Sequence, residues 1–121
     1  MRYLGYTIGD DSTPMPPPTP GAMAVMGAFM EEAMKAGVIV ATGGLAPGSQ
    51  GITVRLVDGE YTVTDGPLAD AKELVGGWAL LEVSSREEAI EWTRRFLAAA
   101  GGGESRLRRV MGPEDFDPAG A

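Results

Sequence analysis

The chain has 121 residues, fits one domain of ordinary size, and can bury a modest core of something like ~65% of its unfolded surface. It carries 17 acidic against 10 basic residues, a formal charge of −7, with 44% hydrophobic residues and no histidine or cysteine. These values exclude a disulfide framework, a thiolate nucleophile, a Ser-His-Asp triad and a soft zinc site. The acidic balance opposes a phosphate backbone, and the one basic cluster (Arg106, Arg108, Arg109) has acids close by, so no nucleic-acid partner is expected.

Residues 2–8 are short and β-prone, and Gly9-Asp10-Asp11 stops them; they read as a first strand. Met1-Arg2-Tyr3-Leu4 enters that strand without the apolar run of a signal peptide, and no stretch approaches the ~20 apolar residues of a membrane span. No membrane association and a cytoplasmic location are the expectations. Residues 10–20 hold five of the nine prolines and read as a solvated loop, since proline interrupts both helix and central strand. A proline-motif ligand is the other reading, though the segment is short and has no flanking basic residues.

Thr19-Pro20 matches an N-cap followed by proline at the first helical position, and the helix is expected to run to about Ala36, with Gly37 closing it. Met23, Met26, Met30 and Met34 recur on it at helical spacing, a stripe that is usually core and less often a ligand or partner surface. Glu31 and Lys35 are spaced for an i,i+4 ion pair. Val38–Thr42 reads as a strand and 45–51 as loop. Ile52–Val57 and Glu60–Thr64 flank Asp58-Gly59, the strongest hairpin signal in the chain, because that pair tolerates positive φ at both turn positions.

Trp78–Val83 is almost continuously apolar, as a central strand covered on both faces would be. Ser85-Arg86-Glu87-Glu88 is a capping box that opens a second helix, ended by Gly101-Gly102-Gly103. Glu104–Met111 reads as the last strand and the residues from Gly112 onward as a polar tail. The order strand, helix, strand, hairpin, strand, helix, strand predicts an α+β ferredoxin-like sandwich: an antiparallel sheet with two helices on one face and an extra hairpin. The other sheet face is too apolar for water, so a homodimer is expected to cover it.

The run Asp65-Gly66-Pro67-Leu68-Ala69-Asp70-Ala71-Lys72-Glu73, followed by Gly76-Gly77-Trp78, resembles the DGPF branch of the YCII-related family. Gly44, Leu45 and Pro47 before the hairpin, the ending Arg108 to Met111, and Glu114-Asp115-Phe116 agree with it, so the resemblance covers nearly the whole chain. It implies one domain over 1–112 with a tail at 113–121, a dimeric α+β barrel type of assembly, and a cleft between the sheet and its partner. Members of the family encoded beside extracytoplasmic-function sigma factors imply a regulatory reading. The His-Asp chemistry suspected of some relatives cannot transfer to a chain without histidine. Leu68 stands for the motif's Phe, Asp70-Ala71 for Glu-Thr, and Gly43 for a Glu often found before the Gly-Leu-x-Pro segment.

Three functions follow as expectations. The first is a dimer that binds a small apolar or aromatic molecule in an inter-sheet cleft walled by Tyr3, Tyr6, Met26 and Trp78. The second is a cofactor-independent enzyme using Asp65, Lys72 and Glu82 for acid–base chemistry. Glu82 shares a strand face with Trp78 and Leu80, and a carboxylate among apolar neighbours needs a partner or a raised pKa. Exposure at the strand end is the plain alternative. The third is a protein-interaction module presenting the proline loop and acidic tail. No cofactor and no metal ligand set is expected, since the acids lack the spacing of an oxygen-ligated site.

Overall fold

A computed structural model of the chain describes residues 1–9, 18–66 and 74–116. The proline-rich stretch 10–17, the segment 67–73 with Lys72, and residues 117–121 of the expected tail lie outside the described residues. The elements are β1 (Arg2–Gly9), α1 (Pro20–Lys35), β2 (Ile39–Gly44), β3 (Ile52–Val57), β4 (Glu60–Asp65), β5 (Leu74–Glu82), α2 (Arg86–Ala100) and β6 (Glu104–Arg109). Short 3-10 turns span Gly48–Gln50 and Pro113–Phe116.

Four strands make one antiparallel sheet in the order β2-β5-β1-β6, which is the ferredoxin-like arrangement of two split βαβ units. The hairpin β3–β4 forms a separate two-stranded ribbon. Its turn has Asp58 at φ 52° and Gly59 at φ 79°, the mirror-image geometry that the Asp-Gly pair predicts.

Local chemistry sets the helix ends. Thr19 Oγ1 accepts the Ala22 N–H at 3.1 Å, and Pro20 opens α1. Gly37, at φ 73°, lies one position beyond the cap residue Ala36 and turns the chain into β2. Ser85 Oγ accepts the Glu88 N–H at 3.0 Å. The Glu88 carboxylate reaches one residue further back than a capping box requires, accepting from the Ser84 N–H at 3.1 Å and from the Ser84 hydroxyl. That hydroxyl and N–H hold the Glu88 carboxyl below its ordinary pKa. Lys35 and Glu31 pair at 3.0 Å as their spacing predicts.

Strand β5 starts at Leu74, earlier than the expected Trp78, because Gly76-Gly77 carries a bulge and not a strand end. Tyr6 pairs with Trp78 but Ile8 pairs with Val75, so one extra residue is inserted opposite Thr7. Thr7 Oγ1 accepts the Gly77 N–H at 2.8 Å and closes the irregular ladder.

The register sorts the sheet into two faces. Tyr3, Ile39, Ala79, Leu81 and Leu107 face the helices and pack with Val38, Val83, Ala89 and Trp92. Leu4, Tyr6, Ile8, Trp78 and Leu80 project to the other face and are half-buried. The buried core consists of Ala33, Val38, Leu81, Val83 and Ala89, and its cluster lies toward the C-terminal end of β5. Toward the opposite end the helix-facing sheet positions become small: Gly5 and Thr7, Gly77 and Ala79, Ser105.

Candidate functional site

That change from large to small side chains opens a cavity of about 190 Å³ between helices and sheet. The sheet contributes Gly5, Thr7, Thr42, Gly77, Ala79 and Ser105, whose short side chains cannot reach the helices. The helices contribute Phe29, Met30, Trp92 and Phe96 as the opposing wall. Phe29 sits 6.1 Å from Trp92 and 6.2 Å from Phe96, both tilted, so the three rings brace one another. Arg95 straps the outside of this wall. Its guanidinium carbon lies 4.5 Å from the Trp92 ring centre and 5.9 Å from that of Phe29. A salt bridge to Glu32 on α1 fixes it, and the Arg95 guanidinium holds the Glu32 carboxyl below its ordinary pKa.

The chemistry of the lining is spare. Polar side-chain atoms come from the hydroxyls of Thr7, Thr42, Thr93 and Ser105. Thr42 Oγ1 donates to the Trp78 carbonyl at 2.8 Å and Thr93 Oγ1 donates to the Ala89 carbonyl at 2.8 Å, so both are engaged in the frame. No carboxylate, lysine or arginine lies among the described lining residues. Among the described residues no group of three or more acidic side chains is placed to hold a metal ion.

The expected ligand residues divide. Tyr6 and Trp78, cross-strand partners at the bulge, are among the residues bordering the cavity, but their side chains project to the opposite sheet face. Tyr3 packs against the core cluster further along the sheet, and Met26 is half-buried on α1; neither lines the cavity. The expected acid–base set is spread out. Asp65 is exposed at the base of the ribbon. Glu82 lies four residues from Trp78, roughly 13 Å along the strand, and its side chain is 49% exposed and paired with Arg2 Nε at 3.0 Å. It shares the face of Trp78 and Leu80 as its alternation predicts, but Arg2, its cross-strand neighbour, supplies the partner. The plain alternative of strand-end exposure is what the geometry has.

The expected cleft lies between two sheets, whereas the cavity within this chain lies between helices and sheet. Its cause is the run of small residues on the helix face. The glycines themselves were the available signal, since Gly5 and Gly77 alternate in phase with Thr7 and Ala79 on their strands. Gly43 shows the same economy on β2. A Cβ there would sit 3.2 Å from Trp78 Nε1 and 3.3 Å from two ring carbons, so the indole occupies the space a side chain would need.

The model of the YCII-related domain matches residues 1–111. The chain belongs to the YCII-related family. A curated relative, an uncharacterized protein of Rhizobium meliloti (strain 1021), is 32% identical over 72 residues, which are 60% of this chain and 58% of that protein. Among solved structures, the chain is similar to the 5-chloro-2-hydroxyhydroquinone dehydrochlorinase of Burkholderia phenoliruptrix in complex with 2,5-dihydroxybenzoquinone. That match has 17% identity and a TM-score of 0.45, and covers 95% of this chain and 98% of the other. A likeness so distant carries no argument about this chain. The family's naming motif straddles the limit of the described residues. Gly66 takes φ 119°, a conformation suited to glycine, and its N–H bonds the Gly51 carbonyl at 3.1 Å, which gives Asp65-Gly66 a structural role at the ribbon base.

Proposed function

We propose that this YCII-related protein binds one small, neutral, largely apolar and planar molecule in the cavity between its helices and sheet, and works as a homodimer. The observation that carries the reading is the lining: three aromatic rings over a floor of glycine, alanine and hydroxyl side chains, with no ionised group among the described lining residues. Burying a charge in such a site costs several kcal/mol unless it is paired. The site therefore selects against ions, while a few hydroxyls orient a polar edge. Apolar cavities of about 150 Å³ accept a benzene-sized molecule, so a volume of about 190 Å³ fits a substituted single ring. Thr7 and Ser105, on the helix-facing side of the sheet, are the expected sheet-side contacts. The half-buried apolar row Leu4, Tyr6, Ile8, Trp78 and Leu80 on the opposite face supports pairing with a second copy.

Native mass spectrometry of untagged protein from its own host, beside a denatured control, tests this. The expected result is a dimer carrying extra mass that is lost on denaturation. A monomer, or a dimer that remains bare after incubation with phenol as a single-ring probe, contradicts the proposal.

A further inference from the structure

The ribbon β3–β4 is amphipathic in a way that the cavity does not explain. Its register places Ile52, Val54 and Leu56 beside Asp65, Val63 and Tyr61 on one face, and Thr53, Arg55 and Val57 beside Thr64, Thr62 and Glu60 on the other. The five apolar side chains of the first face are all bare, from Leu56 at 57% to Tyr61 at 73% exposed. Together they present on the order of 500 Å² of contiguous apolar surface, near the limit that a monomer leaves open. A two-stranded ribbon standing alone is at best marginally stable in water, and among the described residues no third strand pairs with this one. Yet the ladder is complete from the Ile52–Asp65 pair to the Asp58-Gly59 turn.

Such a ribbon needs a cover that is present whenever the chain folds. A second copy of the same chain meets that condition at equal concentration. The face is also self-complementary. Its one carboxylate is Asp65 at the base, so a two-fold axis near the Val54–Val63 pair brings no like charges together at its centre. Two faces buried against each other remove roughly 1,000 Å² from water, which reaches the floor for a specific interface. We propose that the β3–β4 ribbons of two copies pack apolar face to apolar face as a small β-sandwich. This contact uses a different surface from the open face of the four-stranded sheet but belongs to the same dimer, about the same two-fold axis, and it does not depend on what the cavity binds.

The chain has no cysteine, so a single introduced thiol reports only its own neighbour. Val54→Cys and Val63→Cys place thiols at the centre of the apolar face, and Thr62→Cys places one on the polar face of the same strand. Under mild oxidation, disulfide-linked dimers should form about tenfold faster with the first two than with Thr62→Cys, because only facing thiols meet repeatedly. Equal rates, or a faster Thr62→Cys, would overturn the contact. Hydrogen exchange on the unmodified protein gives a second readout that needs no variant. Ribbon amides should lose about tenfold of their protection on dilution from dimer to monomer. Protection independent of concentration overturns the proposal.

Discussion

Replacing Ala79 by leucine tests the cavity through its floor. Ala79 sits on the helix-facing side of β5, flanked in register by Gly5 on β1 and Thr42 on β2, so its neighbours are short on both sides. Leucine adds three carbons, and full burial at about 0.8 kcal/mol each would give an upper limit near 2.4 kcal/mol. The cavity meets solvent on one side, so part of that surface stays wet and about 1 kcal/mol of added stability is the realistic figure, a rise of roughly 3–6 °C in Tm. The same carbons occupy the space assigned to a ligand ring. Thermal unfolding by circular dichroism and a phenol titration followed by NMR read the two effects together. The expected outcome is an A79L protein that melts at or above the wild-type temperature and no longer binds phenol. A folded A79L protein that binds phenol as well as wild type would refute the placement of the site.

Other outcomes are expected elsewhere. Thr7→Val keeps the side chain's shape but removes the oxygen that accepts the Gly77 N–H, and should cost about 1–3 kcal/mol in urea denaturation, with Thr7→Ser restoring most of it. Gly43→Ala puts a Cβ 3.2 Å from the Trp78 indole; the ring must move, seen as a shifted Trp78 indole N–H resonance. Asp115 accepts from both terminal nitrogens of Arg109, at 2.9 and 3.1 Å, and from the Gly112 N–H at 2.7 Å, which together hold its carboxyl below the usual 3.8. A depressed folded-state pKa gives stability that is complete above the unfolded value and lost as pH falls through the lower folded one. Wild type should therefore lose its advantage over Asp115→Asn on acidification below about pH 4, measured as the difference in denaturation midpoints.

Much of the architecture is legible in the residues because it is written locally. Thr19-Pro20, Asp58-Gly59 and the triple glycine after α2 each set a backbone geometry by their own chemistry, and the element order then leaves few topologies open. The YCII-related motifs are legible for the same reason. The site was harder to read because it is made by side chains that are missing. Aromatic residues such as Tyr3 and Trp78 attract attention in a sequence, whereas Gly5, Gly77 and Ala79 become a cavity floor only once β1 and β5 are paired. Long-range pairing likewise decided Glu82. Its partner Arg2 is 80 residues away in sequence, and the antiparallel register alone makes them neighbours. The bulge at Gly76-Gly77 was hidden too, since its closing group is the hydroxyl of Thr7, 70 residues earlier.

The central claim is that a neutral ring enters the space between α1, α2 and the sheet. Trp92 stands in the helix-side wall of that space, so its indole N–H resonance reports on it directly, and Trp78, whose ring lies on the opposite sheet face, serves as the comparison signal. Titration with phenol, and in parallel with benzoate as its charged counterpart, should shift the Trp92 signal with phenol more than that of Trp78, and leave both in place with benzoate. Shifts with benzoate as large as those with phenol, or none with phenol at saturation, would contradict the account.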